Sequence, residues 1–179
     1  MSKPPLIRTT DTHVYFYGGP LSQWYPARFS ERLAISLDDT LVFNCAEQYM
    51  MARKAFRFGD IPVLEAIMAT ANPAEQKALG RKVQGFNEAI WNEMAPGVVL
   101  TASLAKFSQA ETLRNYLLGT GDRHIVEGSS KDRIYGVGLS WDDPRIEDEA
   151  NWLGANHLGR CLMAARGIIR HVPTFKMFV

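Results

Sequence analysis

The sequence predicts a helix-rich α+β fold with a small, mostly antiparallel sheet. Three observations predict it. From Asn44 to Gly119 the chain carries one helix signal after another. Its β-prone runs are short and scattered. The last stretch sets Leu158, Leu162, Met163, Ala165 and Ile169 at helical spacing on one face. Helices outweigh strands, which argues against a doubly wound parallel sheet.

Residues 1–12, with Pro4 and Pro5, read as a flexible lead-in, and residues 13–179 as one domain. Val14-Tyr15-Phe16-Tyr17 is a strand that stops at Gly18-Gly19-Pro20. Leu33–Leu37 and Leu41–Phe43 flank Asp38-Asp39-Thr40 and read as a hairpin. Helices follow from Asn44 to about Phe58, from Asp60 to Ala69, and from Asn72-Pro73, where Asn before Pro is a start signal. The next stretch contains Trp91, breaks near Pro96-Gly97 and resumes to Phe107. Ser108-Gln109-Ala110-Glu111 fits a capping box, and Gly119 ends that helix. Short extended pieces at His124–Glu127 and Ile134-Tyr135 precede a Gly- and Asp-rich loop, and Asn156 starts the last helix.

The chain has 179 residues, one domain at ~150 residues per domain. Its 46% apolar and 22% charged residues exclude a largely disordered chain. The 20 basic and 19 acidic residues leave a net charge of +1, which argues against a non-specific grip on a nucleic-acid backbone and leaves room for a local basic cleft. Cys45 and Cys161 form no C-x-x-C pair, and His13, His124, His157 and His171 never fall at i, i+4 spacing, so no metal site is expected. The first residues lack an apolar core, so no signal peptide is expected, and no apolar run reaches ~18 residues. The expected compartment is cytoplasmic, or nuclear, with no membrane and no obligate protein partner.

Four clusters bear on chemistry. On the helix from Asn44, residues Glu47, Met50, Met51 and Lys54 share one face. An acid and an amine on such a face suit a site. The same pattern suits an Asn44 cap with Glu47 as its reciprocal acid and Lys54 snorkelling at the edge. The run Val126-Glu127-Gly128-Ser129-Ser130-Lys131-Asp132 leads to Tyr135-Gly136, a polar loop at a strand end or an ordinary turn. Gly154-Ala155-Asn156-His157-Leu158-Gly159 opens a helix, as an anion site or as a tight capped turn. Most of Phe16, Tyr17, Trp24, Tyr25 and Trp91 belong to the core, with one or two left to stack on a base.

Taken in order, these segments resemble the NADAR family of riboflavin-intermediate N-glycosidases and guanine ADP-ribosyl glycohydrolases. The pieces are Phe16-Tyr17 with Leu21-Ser22-Gln23-Trp24, then Cys45-Ala46-Glu47-Gln48-Tyr49 with Ala52 and Lys54. Leu79-Gly80-Arg81, Trp91, Ala105-Lys106-Phe107, Leu117–Thr120, Val126-Glu127 with Asp132 and Gly136, and Gly154–Gly159 complete the set. Two departures, Gln23-Trp24 in place of Asn-Phe and Tyr135 in place of Trp, fall among the implied ligand contacts. They bear on substrate choice more than on reaction type.

The resemblance implies an N-glycosidase cutting ribose C1′ from a guanine-like nitrogen, without a cofactor or metal. Glu47, Lys54 and Asp132 are the implied catalytic groups. Glu47 and Asp132 would support an oxocarbenium-like C1′ or activate water, and Lys54 would attack C1′ as a Schiff-base amine. The implied substrate contacts are Phe16, Tyr17, Ser22, Trp24, Asn44, Arg81, Trp91, Glu127, Ser129, Tyr135, Gly136, Gly154, Asn156, Leu158 and Gly159. Two substrates fit the resemblance: ADP-ribose on guanine, free or in nucleic acid, and the ribosylaminopyrimidine phosphates of early riboflavin synthesis. A non-catalytic ADP-ribose reader is the rival from another class. Asp132 and Trp91 are expected in one pocket with Glu47.

Overall fold

Strands β1 (Leu6–Thr9) and β2 (His13–Tyr17) begin the described chain, and β2 buries Val14, Tyr15 and Phe16 in succession. Three buried neighbours in a row mark a strand covered on both faces. The computed structural model describes residues 6–34 and 39–172. Contacts divide these into two compact units, residues 6–25 with 111–172, and residues 26–110.

In the first unit β1 pairs antiparallel with β2, and β2 pairs parallel with β5 (His124–Glu127). Tyr15, Val126, Val137, Leu139 and Ile146 form a core beneath Trp141 and Trp152. Part of the expected lead-in is therefore structured. Leu6–Thr9 reads as polar lead-in by composition, but it pairs with the whole of β2, from Leu6 opposite Tyr17 to Thr9 opposite Val14. Local propensity does not register a pairing partner supplied by another segment. Residues 1–5 lie outside the described residues. Helix α5 (Glu111–Gly119) packs on α6 (His157–His171), which packs on β5. Ile134-Tyr135, expected as an extended piece, is a bend, because Asp132 Oδ1 accepts both of its backbone N–H groups at 3.0 and 2.8 Å.

Asn156 is the keystone of this unit. It precedes α6 in the left-handed region, with φ of 51°. Its side chain does not cap the helix as expected. It reaches across to β5, where Nδ2 donates to Ile125 O at 3.0 Å and Oδ1 accepts from Glu127 N at 3.1 Å. Four successive amides at the helix start, of Ala155, Asn156, His157 and Leu158, donate to the carbonyls of Arg133, Gly136, Ile134 and Tyr135. Backbone lies so close here that a Cβ on Gly159 would strike Ile125 O, and one on Gly154 would strike Gly136 O.

In the second unit β4 (Leu41–Phe43) stands where expected but pairs antiparallel with β3 (Phe29–Glu31), Phe29 opposite Phe43, and not with the expected run from Leu33. The paired strand precedes Leu33, since Phe29 packs with Phe43 and Tyr49 in an aromatic cluster and draws the pairing upstream. The expected strand residues 35–37, and Asp38 of the turn, lie outside the described residues. Helix α1 (Ala46–Arg57) packs against α2 (Ile61–Ala69), α3 (Pro73–Gly80) and α4 (Glu88–Gln109). Asp60 and Asn72 cap α2 and α3 through Val63 N and Ala74 N, as expected. The break expected at Pro96 is absent: α4 runs through it for 22 residues. Proline removes one hydrogen bond, but the buried stripe Trp91, Ala95, Val98, Val99 and Ala102 holds both halves of the helix on one surface. Ser108 lies in the last turn of α4, so the expected capping box does not form there. Fold class is as the sequence predicts: among the described residues there are six α-helices, and two of three strand pairings are antiparallel.

Replacing Asn156 by Ala leaves Ile125 O and Glu127 N without that side chain's hydrogen bonds. At ~1–3 kcal/mol per buried unmade bond, the expected loss is on the order of 2–4 kcal/mol in urea unfolding. A loss below about 0.5 kcal/mol, the range of an ordinary surface change, would remove Asn156 from this role.

Candidate active site

Helix α1 begins at a buried network of amides. Cys45 occupies its N-cap position without a side-chain cap bond. Gln48, one turn in, reaches back so that its Oε1 accepts Asn44 N–H at 2.8 Å, the acid-side half of a capping box. Gln48 Nε2 donates to Ile67 O at 3.1 Å and Thr70 O at 3.3 Å. Gln76, fully buried on α3, donates to Thr70 O at 2.7 Å and Asn44 Oδ1 at 3.2 Å, and accepts from Cys45 Sγ at 3.2 Å. Asn44 is thus neither the cap nor the partner of Glu47. Its side chain is spent on α3 and on the α2–α3 link, where Nδ2 donates to Thr70 O.

Glu47, beside Gln48 on this first turn, is only 4% exposed. Lys106 of α4 is also buried, 2% exposed. Both act on the Cys45 thiol, Glu47 pushing its pKa up and Lys106 pulling it down, while burial, the largest effect, raises it. Burial pulls the Lys106 amine down to about 7. No spacing marks this lysine in the sequence, because a lysine on an apolar helix face reads as a snorkelling edge residue.

Lys54, two turns along α1 from Glu47, is half-buried in a different setting. Its Nζ stands 4.0 Å from the centre of the Phe86 ring and 5.8 Å from that of Trp91. Phe86 in turn meets Phe58 edge-on at 5.4 Å. Burial first and the Arg81 guanidinium second hold the Lys54 pKa below the ordinary lysine value. The structure therefore gathers Lys54, Arg81 and Trp91, all read from the sequence, around one amine. Phe86, in the loop before α4, is the residue missed; an exposed aromatic in a loop carries no periodic signal.

The remaining candidates lie in the first unit. Asp132 has a loop-forming duty, accepting from Ile134 N and Tyr135 N, which accounts for an aspartate there without catalysis. Phe16 and Leu158 are core residues, buried on β2 and α6. Tyr17 and Trp24 are exposed, and Ser22 Oγ accepts from Trp24 N at 3.2 Å. Glu127 and Ser129 flank Gly128, with Ser129 N donating to Glu127 O. The Tyr135 ring meets His157 edge-on at 6.5 Å, and a Cβ on Gly136 would press on Asp132 O and Glu127 O at 3.0 Å. The Gly154–Gly159 turn does not offer a phosphate its free amides: Ala155, Asn156, His157 and Leu158 donate to protein carbonyls. The two glycines permit close backbone approach instead.

Residues 15–170 match the NADAR domain family. The N-glycosidase R617 of Acanthamoeba polyphaga mimivirus is 38% identical over 88% of this chain and 96% of its own. Protein irg-1 of Caenorhabditis elegans is 39% identical over 88% of this chain and 79% of its own. A riboflavin biosynthesis protein of Vibrio vulnificus is 28% identical over 89% of this chain but only 40% of its own. The NMR structure of the E. coli protein YbiA has a like fold, with a TM-score of 0.70 at 24% identity over 96% of this chain and 94% of that one.

The Lys106 amine sets a pH dependence of stability. Its folded pKa of about 7 lies below the unfolded value of 10.5, so the unfolded chain binds more protons between them. Stability should rise with pH above about 7, at up to about 1.4 kcal/mol per unit. Above about pH 8.5 ionisation of unfolded thiols opposes it, since burial raises both cysteines in the folded chain. Urea unfolding across that window should show the slope in the wild type and a flatter one in Lys106→Met. Equal slopes would place the proton uptake elsewhere.

Proposed function

The chain belongs to the NADAR domain family, and from that premise we propose that it is an N-glycosidase removing ADP-ribose from ADP-ribosylated guanine, free or in nucleic acid. N-glycosidase is the activity its relatives carry in name. One observation supports the mechanism above all: a single helix, pinned at its start, carries a buried carboxylate and a half-buried amine of lowered pKa. Seven residues of helix separate Glu47 and Lys54 by ~10.5 Å along the axis, with directions only ~20° apart. A reader of ADP-ribose needs neither burying a carboxylate nor depressing an amine.

The chemistry follows from those two groups. Neutral Lys54 attacks C1′ as the C1′–N bond breaks, and the amine's proton passes to the departing guanine nitrogen. The sugar ring then opens at C1′–O4′, with O4′ taking a proton and the amine holding C1′ as an imine. Water adds to that carbon, helped by Glu47 as base, and ADP-ribose leaves with Lys54 restored. Burial beside the Phe86 and Trp91 rings, with the Arg81 guanidinium second, lowers the pKa of the amine and so favours its free form, and Arg81 supplies a cation for a diphosphate.

The Vibrio relative supports a second reading, the same bond cleavage on ribosylaminopyrimidine phosphates. The mimivirus N-glycosidase, matched over nearly all its length, supports the bond cleavage common to both readings. A side-by-side turnover assay separates them. Release of unmodified guanine from an ADP-ribosylated oligonucleotide is the expected result, and turnover of the pyrimidine phosphate alone would overturn it.

Two variants test the roles. Glu47→Gln should keep the fold and lose at least ~100-fold in rate. Lys54→Ala should abolish turnover while remaining folded by circular dichroism. Wild-type rates in either folded variant would remove that residue from the mechanism.

A further inference from the structure

The spacing rules that exclude a metal site apply to ligands on one segment. The fold brings three together from separate segments of the first unit. His13 and His124 are paired residues at the start of the parallel strands β2 and β5, so their rings stand side by side, 5.1 Å apart. Glu149, in the turn before α6, places Oε1 3.9 Å from His124 Nδ1. The donor atoms of the three residues all lie within 4.8 Å of one another.

The His13 ring is prepared as a ligand would be. It stacks on Tyr15 at 5.3 Å and 7°, and its Nδ1 shares a hydrogen bond of 2.8 Å with Thr12 Oγ1. A partner on one ring nitrogen orients the ring and aims the other. That other nitrogen, Nε2, is buried and has no hydrogen-bond partner among the described residues. A buried polar atom with no partner calls for one that the protein itself does not supply.

The geometry points to a transition-metal site at His13, His124 and Glu149, of the kind that takes Zn²⁺. Two imidazoles and one carboxylate are the donor set of a three-ligand zinc centre with a fourth position for water. Two nitrogen donors select against Mg²⁺ and Ca²⁺, which take oxygen. Tetrahedral zinc needs donors ~3.3 Å apart, so the cluster closes by about an ångström. His124 and Glu149 are exposed and free to rotate by that much. The bound ion would tie β2 and β5 to the 144–151 segment and stabilise this unit; it takes no part in the proposed bond cleavage.

The test is calorimetric titration of the untagged full chain with Zn²⁺, with melting temperature as a second readout. One equivalent should bind and raise the melting temperature, while Mg²⁺ does neither. His124→Gln, an exposed change that leaves the core alone, should weaken zinc at least ~10-fold, as should His13→Gln. His157→Gln should bind as wild type. No uptake of micromolar Zn²⁺ by the wild type overturns the assignment, and so does binding that survives in the His13→Gln/His124→Gln double variant.

Discussion

Two buried glutamines hold the helix on which the chemistry depends. Gln48 and Gln76 satisfy the carbonyls of Ile67 and Thr70 and the Asn44 amide, and each makes several bonds at once. A buried polar network fully paired is rigid, whereas one half-paired is costly. The start of α1 is therefore fixed against α3 and the α2–α3 link. Fixing it sets the depth at which Glu47 sits and, two turns on, the place of Lys54. Charge on a helix so largely buried is unfavourable in itself. The network supplies rigidity that keeps Glu47 and Lys54 in place on the helix.

The first unit solves a parallel problem with backbone. Asn156 and the glycines beside it bring α6, β5 and the 133–136 loop close enough for successive amides to find carbonyls. What looks like an anion-binding turn is a lock among three chain segments. Asp132 serves the same lock by folding its own loop. Tyr17 and Trp24 of this unit stay exposed.

What could be read from the sequence was whatever one segment decides for itself. Asp60 and Asn72 cap helices with their own side chains, and β5 is an apolar run between turns, so all three stand where expected. The shared face of Glu47 and Lys54 was legible for the same reason, since helical spacing alone puts it there. Features set by a distant partner were not legible. Leu6–Thr9 is a strand because β2 pairs with it, and Pro96 stays helical because its neighbours bury a common stripe. Asn44 and Asn156 each look like a cap, but each bonds to a segment far along the chain. Lys106 becomes unusual only through burial, and the two histidines meet only through strand pairing.

Among the described residues two lysines, Lys54 and Lys106, have depressed pKa values, and the proposed reaction falls to the accessible one. Lys106 is sealed in the interior, while Lys54 is open to a substrate between its aromatic rings. Borohydride added during turnover of an ADP-ribosylated guanine oligonucleotide reduces any imine to a stable amine, and peptide mass spectrometry locates it. The account predicts one ADP-ribose adduct, on the peptide containing Lys54. An adduct on Lys106, or steady turnover with no adduct on any lysine, would contradict it.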